Sequence, residues 1–353
     1  MDTLFFRDGT PFHLGEGGSV QPRGSFPPSI MPLQGAIRTA LARGRGWRPN
    51  HPNRWPEELG TPDDLGDLRL RGPFLRFGGE RLYPIPLVLF GKWGAELTRL
   101  VPGEKVECDL GQVRLPRLAQ PVTGKMLEGW LTQDGLESVL RGEVPAVTEI
   151  LQPEKMWKEE RRVGILRNVD TRKAEAHHLY TATHVRPVKD LMVEVDVQGI
   201  PEDWNPEASL TLPLGGEGRM AYVTVSKKAG DQADFPRMPE WSQTEDTVRF
   251  TVTLLTPGRY RNTCSVIQTG PKGIPGRCIS ASIGKMVSLG GWDLKRCRPR
   301  RSVSLLPAGC TWFYEAKVEQ LDQIKGLHGT FTGEMNAYGM GQIAIGTWQE
   351  GTR

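Results

Sequence analysis

Apolar residues recur along this chain at two spacings, and the spacings separate its expected helices from its expected strands. Leu33, Ile37, Ala40 and Leu41 form a stripe at helical spacing after Ser29, a residue able to cap a first turn, and Gly44 and Gly46 predict the end of that helix. Met126, Leu127, Trp130 and Leu131, then Leu136, Val139 and Leu140, repeat a broken helical period. Alternation marks strands elsewhere. Val193, Val195 and Val197 flank Glu194 and Asp196; Val248, Phe250, Val252 and Leu254 share one face; Trp312, Tyr314, Ala316 and Val318 repeat the pattern. Further strands are predicted at Leu4 to Phe6, as short strands with turns within residues 68–90, at Tyr222 to Ser226 and at Gln342 to Trp348, with a short helix around Leu321 to Ile324.

This order predicts an α+β fold, with helices on one face of antiparallel sheet. Two βαββαβ-like halves, each with a helix-covered face and an open sheet face, are the expected organisation. A chain of 353 residues exceeds what one hydrophobic core comfortably organises, so two domains are expected, 1–185 and 186–353. Residues 155–183 differ in character. They are basic, and their Val163 to Leu166 and Leu179 to His184 stretches are placed to pair as a projecting hairpin, an extension of the first domain.

With 38% apolar and 24% charged residues the chain reads as an ordinary soluble globular protein. Forty-five Lys and Arg against 41 Asp and Glu leave a net charge of only +4, so any nucleic-acid footprint must come from local clustering. Three clusters stand out: Lys295, Arg296, Arg298, Arg300 and Arg301; Arg38, Arg43, Arg45 and Arg48; and the run from Lys155 through Arg172 and Lys173. Each also suits a solvated charged face. The five cysteines lack close CxxC pairs, so reduced thiols and no metal or cofactor are expected. Met1 to Arg7 has no basic segment followed by a long apolar run, and the longest apolar stretch, Tyr83 to Phe90, is broken by Pro84 and Pro86. A cytoplasmic protein without a membrane association is the expectation.

Glycine-rich loops carry the candidate chemistry. Gly339, Gly341 and Gly346 surround the terminal alternating strand, and Gly215, Gly216 and Gly218 make a second glycine-rich stretch; without a Cβ, such loops bring backbone amides close to a phosphate or a base. The same glycines also suit a bulged hairpin or a β-turn. Arg7, Arg38, Arg167, Arg219 and Lys285 are the basic candidates for phosphate contact, joined by Lys173 in the extension, and Trp292 is placed to stack on a base or to wedge between domains. A ribonuclease would need a paired acid and base, for which His13 in the first glycine-rich loop and His177 and His178 in the extension are the candidates, though no partner is fixed beside them by spacing. No Walker-type loop occurs, and Asp63-Asp64 lies in a Pro/Gly-rich loop rather than an apolar strand, which argues against phosphoryl transfer. A protein-only scaffold remains a third class, because arginine suits carboxylate as well as phosphate.

Taken together, several segments resemble a known family. Leu4-Phe-Phe-Arg-Asp-Gly-Thr-Pro-Phe12, Ser25-Phe-Pro-Pro28 and Gly35-Ala-Ile-Arg-Thr-Ala-Leu41 are similar to the third-subunit family of the type III-B (Cmr) CRISPR effector complex. Val163-Gly-Ile165 with Leu179-Tyr-Thr181, Leu212-Pro-Leu-Gly-Gly-Glu-Gly-Arg219, Gly290-Gly-Trp-Asp293, Pro307-Ala-Gly309 and Gly339-Met-Gly-Gln-Ile-Ala-Ile-Gly346 continue the series over nearly the whole chain. The resemblance implies a RAMP protein with two ferredoxin-like, RRM-related domains and a thumb hairpin. It further implies a non-catalytic subunit that binds the 5′ tag of the CRISPR RNA, docks on the large polymerase/cyclase-like subunit and an adjacent RAMP backbone subunit, and meets target RNA only through the complex. On that footing the RNA contacts are expected at Arg7, His13, Arg38, Arg167, Lys173, Gly215, Gly216, Gly218, Arg219, Lys285, Trp292, Gly339, Gly341 and Gln342.

Overall fold

Antiparallel ladders dominate the computed structural model, which describes residues 3–9, 24–108, 111–167, 170–204, 206, 208–227, 235–241, 246–293 and 296–349. The architecture is mixed α/β, rich in strand, with helices at Ile30–Gly44, Gln133–Leu140, Pro153–Met156, Thr263–Thr269 and Leu321–Lys325 among the described residues. Contacts divide the chain into two compact units. The first takes Met1–Pro73, Met156–Ala229 and Ser288–Ser304; the second takes Phe74–Lys155, Gly230–Val287 and Leu305–Arg353. The sequence reading divides the chain once, at 185/186, whereas each of these units draws on three separate segments.

In the second unit a four-stranded sheet runs in the order Arg277–Ser282, Thr311–Lys317, Thr247–Leu254, Ile343–Thr347, every pairing antiparallel. Along the chain its elements succeed one another as strand, helix, strand, strand, helix, strand. Alternation sends the side chains to two cores. Phe250, Val252, Trp312, Tyr314, Ile343 and Ile345 pack with Val266, Leu321 and Ile324 of the two helices on one side. Phe313, Ala344 and Trp348 pack on the other with Leu136, Val139 and Leu140 of the helix Gln133–Leu140. Trp312, Phe313 and Trp348 are at most 1% exposed, and burying each contributes roughly 2–3 kcal/mol.

Two expectations need correction here. The broken helical period from Met126 to Leu131 belongs to strands: Lys125–Met126 pairs with Phe90 and Gly91, and Trp130–Leu131 pairs with Tyr83 and Pro84 on one side and with Ile150–Leu151 on the other. The helix starts only after Thr132, whose side chain accepts a bond from the Gly135 amide at 3.1 Å and fixes the N-terminus there. The second correction is an addition. Leu97–Cys108 and Gly111–Leu118 form a long hairpin that the alternation pattern did not reveal, since prolines and charges interrupt it.

The first unit begins with the predicted helix, observed at Ile30–Gly44. Its buried face is rotated from the expected stripe, with Ile30, Leu33, Gln34, Arg38, Leu41 and Ala42 inward. Arg38 turns in because it has partners there: Nη1 donates to Gln34 Oε1 at 3.1 Å, Nη2 donates to the Thr61 carbonyl at 2.7 Å, and the guanidinium lies 5.4 Å from the Trp55 ring centroid. Ser29 stands at the N-cap in extended conformation, without a side-chain bond to the first turn. The expected basic hairpin forms. Trp157–Arg167 pairs with Ala174–Pro187 in a register that sets Ile165 opposite Leu179 and Val163 opposite Thr181. A second, shorter hairpin joins Ser209–Pro213 to Met220–Thr224, and a two-residue ladder joins Trp292–Asp293 to Arg298–Pro299. Arg296 braces that ladder with ion pairs to Asp293 and Asp63, each at 3.2 Å.

His328 links the second unit to a pH-dependent stability. Its ring meets Phe235 edge-on at 4.9 Å, its Nε2 lies 2.7 Å from the Pro236 carbonyl, and the Ile345 amide donates to its Nδ1 at 3.1 Å. Nε2 therefore carries the proton in the neutral ring. Burial pushes the pKa of this imidazole below its ordinary value. A base whose folded pKa is depressed contributes fully above its unfolded value, about 6.5, and that contribution is lost as pH falls toward the folded value. Thermal unfolding followed from about pH 7.5 to about pH 5.5 is expected to show a falling midpoint, and His328→Gln is expected to flatten that fall relative to the parent.

Candidate nucleic-acid interface

The N-terminal segment of the first unit is held on two sides by backbone bonds. Leu4 exchanges both of its bonds with Val185 at 2.8 Å, at the base of the long hairpin, while the Phe5 carbonyl accepts from the Gly216 amide at 2.8 Å. The Phe6 carbonyl accepts from Ser25 at 2.7 Å, and Arg7 bridges to Gly24. Residues 4–7, where the alternation predicts a strand at Leu4 to Phe6, make isolated bridges instead of a ladder, and they lie between the hairpin stem and the loop Leu214 to Arg219.

That loop closes on itself, with Leu214 N–H donating to the Arg219 carbonyl at 2.9 Å and Arg219 N–H to the Gly216 carbonyl at 3.3 Å. Gly215 has φ 82°, and a Cβ there would stand 2.4 Å from the Phe5 carbonyl oxygen. Only glycine permits this approach. Gly218, also left-handed at φ 64°, has open space around it. Gly215 and Gly216 therefore pack against Phe5, and Gly218 is the glycine of the three with open space at its Cβ position.

A histidine absent from the sequence candidates locks this arrangement. His184 is fully buried, stacks on Phe5 at 5.3 Å, and places Nδ1 3.1 Å from Thr3 Oγ1 and Nε2 2.9 Å from Glu217 Oε2. Both ring nitrogens thus have a hydrogen-bond partner, one on each side of the ring. Three chain segments far apart in sequence, the N-terminal segment, the hairpin stem and the glycine loop, meet at this ring.

A cleft of about 340 Å³ opens beside it, bounded by Asp8, Gly24, Phe26, Trp157, Glu159 and Thr183. Phe26 meets Trp157 edge-on at 4.8 Å. Aromatic walls with two carboxylates at the rim suit a ring bearing amino groups better than a bare phosphate. Outward along the hairpin the charge is positive. Glu160 engages Arg186 at 2.6 Å and Arg162 at 2.7 Å, and the bonds from Arg186 first and Arg162 second hold its carboxyl below the usual range. Lys158, Arg161 and Lys173 are exposed on the same hairpin.

The structure brings Arg7, Gly215, Gly216, Gly218 and Arg219 together around the N-terminal segment, with Lys173 on the hairpin of the same unit. Trp292 also belongs to this unit and is 42% exposed. Arg38 is buried within its own unit, as described above. Arg167 ends the strand Trp157–Arg167, but its side chain lies outside the described atoms, and His13 lies outside the described residues. The remaining candidates fall in the second unit. Lys285 is exposed there, whereas Gly339, Gly341 and Gln342 are buried. Gly341, at φ 78°, donates to the Pro257 carbonyl and leaves a would-be Cβ 2.0 Å from the Thr332 carbonyl oxygen. Gln342 is 1% exposed, and its amide donates to Thr256 Oγ1 at 2.9 Å. In this fold the terminal glycine motif packs the last strand against its neighbours.

The contrast between two glycines gives a direct check. Gly215→Ala must push the Phe5 carbonyl away and is expected to cost about 3 kcal/mol in denaturant unfolding. Gly218→Ala pays only for its left-handed backbone, about 1 kcal/mol.

Comparison with known proteins bears on the whole chain. The family described as CRISPR-associated protein (Cas_Cmr3) matches residues 1–348. A chain from a cryo-EM structure of the Type III-B Cmr-beta bound to cognate target RNA is similar in fold, with a TM-score of 0.51 at 15% identity, covering 92% of this chain and 86% of that one. The same complex bound to target RNA and AMPPnP gives a TM-score of 0.50 at 15% identity over the same shares. No curated protein matches. The match over residues 1–348 shows that the chain belongs to the Cas_Cmr3 family of CRISPR-associated proteins, subunits of the type III-B Cmr effector complex.

Proposed function

We propose that this protein is a non-enzymatic RNA-binding subunit that holds the 5′ tag of the CRISPR RNA on its first unit. The observation that carries the proposal is the convergence of Arg7, Arg219 and the open Gly218 on an N-terminal segment fixed beside a basic hairpin. Guanidinium groups engage phosphates, a left-handed glycine exposes backbone amides, and the neighbouring cleft offers an aromatic wall to a splayed base. His184 supports a positional role rather than acid–base chemistry, because its ring is enclosed and both nitrogens are engaged with Thr3 and Glu217.

Docking on the large polymerase/cyclase-like subunit and on an adjacent RAMP backbone subunit, in the cytoplasm, belongs to the same proposal. Holding one end of the guide sets the register in which the rest of it pairs with a target, and contact with the large subunit transmits that occupancy. We also read the fold as derived from two ferredoxin-like domains. The βαββαβ succession of the second unit, with its first strand between its fourth and third, supports this for one of them.

The test is binding of a tagged guide RNA against the same RNA with its 5′ tag scrambled, using the protein with its large-subunit partner. Preferential binding of the tagged RNA is expected, with an affinity that falls as salt rises. Arg219→Gln is expected to weaken both RNAs alike and to lower the salt slope, as loss of a phosphate contact does. Equal binding of the two RNAs by the parent protein would reduce the subunit to a basic scaffold, and RNA cleavage that persists in purified protein would contradict the non-enzymatic reading.

A further inference from the structure

The cleft on the first unit has a rim whose charge runs against that of the hairpin beside it. The hairpin is basic, yet among the described residues that bound the cleft there is no lysine or arginine, and two of them are carboxylates, Asp8 and Glu159. Strand alternation explains the separation. The register sets Glu159 opposite Val185 and Arg161 opposite Thr183, so Trp157, Glu159, Thr183 and Val185 share the cleft face, while Glu160, Arg162 and Arg186 share the other. Glu160 is engaged there by Arg162 and Arg186. Glu159, exposed on the cleft face, makes neither a hydrogen bond nor an ion pair among the described residues.

What the cleft can take follows from its donors and acceptors. A volume of about 340 Å³ lies at the small end of ligand sites and suits a single planar ring with its sugar. Phe26 and Trp157, edge-on at 4.8 Å and both half-buried, supply the aromatic wall on which such a ring stacks. Carboxylates repel a phosphate and, when ionised, only accept hydrogen bonds, so the rim calls for donors. Adenine and cytosine set an amino group beside a ring nitrogen that accepts, and uracil sets one N–H between two carbonyls. Each therefore turns an acceptor toward the carboxylate along with its donor. Guanine presents two adjacent donors, N1–H and the 2-amino group, which match the two oxygens of one carboxylate as a guanidinium fork does.

We propose that the cleft takes a guanine base of the guide RNA, stacked on the wall of Phe26 and Trp157 with N1–H and the 2-amino group donating to Glu159. The inference rests on the RNA-binding reading above and names the base that its aromatic wall receives. Arg161 is the next side chain of the strand on the cleft face; it is exposed and makes no ion pair among the described residues. One face thus offers a carboxylate to the base and a cation to its flanking phosphate. An arginine from a partner protein carries a similar fork, but Arg161 repels that charge, whereas it attracts the phosphate that accompanies a base.

The experiment uses the full chain with its large-subunit partner and short single-stranded RNAs: oligouridine alone, and oligouridine with one central guanosine, inosine, adenosine or cytidine. The guanosine RNA is expected to bind the parent about tenfold tighter than the adenosine, cytidine or all-uridine RNAs. Inosine, which keeps N1–H and lacks the amino group, is expected to fall between. Glu159→Gln, a substitution at an exposed position, exchanges one acceptor for a donor and is expected to erase the guanosine preference without changing the salt slope, since no phosphate contact is removed. A guanosine preference that persists in Glu159→Gln, or equal binding of all the RNAs by the parent, overturns the cleft assignment and leaves the proposed function standing. Equal binding joined to weaker assembly of Glu159→Gln with the large subunit overturns it in favour of a partner's arginine. No binding of any RNA by the parent contradicts the RNA-binding reading itself; guanosine 5′-monophosphate bound by the parent and not by Glu159→Gln would then retain guanine as the ligand of the cleft.

Discussion

The arrangement of the first unit depends on one ring. His184 sits where the N-terminal segment, the stem of the hairpin and the glycine loop would otherwise be three separate pieces, and its two nitrogens engage Thr3 and Glu217. The backbone bonds of Leu4 to Val185 and of Gly216 to Phe5 set distances, but a single bond between short segments leaves them free to rotate. A fully enclosed imidazole with two fixed partners removes that freedom. Because the ring is buried, loss of either partner would leave a polar atom without water to replace it. Arg7, Gly218 and Arg219 inherit their positions from this junction.

The second unit reaches rigidity by another route. Its central sheet is covered on both faces, so each strand contributes alternate residues to two cores and neither face is free to slip by one residue. Buried threonines mark the cost of such a sheet: Thr253 and Thr311 satisfy each other across neighbouring strands at 3.0 Å. Arg249 of that sheet and Arg99 and Arg114 of the hairpin from Leu97 to Leu118 approach the same strand end. Those cations gather at the end of the last strand because the sheet topology, and not their distance along the chain, makes them neighbours.

These differences explain what was legible in the sequence. The hairpin was, since alternation over Val163 to Leu166 and Leu179 to His184 fixes both strand period and pairing partner. The strands at Thr247–Leu254 and Thr311–Lys317 were legible for the same reason. Glycine patterns were read less well, because a glycine required by a neighbouring carbonyl and one offered to a ligand have the same letter. Gly215 and Gly341 are required by Phe5 and Thr332, whereas Gly218 has open space where a Cβ would stand. Arg38 reads as a surface cation until Gln34, Thr61 and Trp55 are seen around it. His184 with Glu217, and Arg99 with Arg114 and Arg249, are separated by spacings that no local pattern encodes.

The claim that most needs a direct reading is that RNA lies on the first unit, along its N-terminal segment, hairpin and glycine loop. Crosslinking of a guide RNA carrying 4-thiouridine at single tag positions, followed by mass spectrometry of the crosslinked peptides in the assembled complex, reads this residue by residue. The account predicts crosslinks from tag positions to peptides spanning residues 4–9, the hairpin between 157 and 187, and the loop 214–219. Tag crosslinks confined to other subunits, or to peptides of the second unit alone, would contradict it.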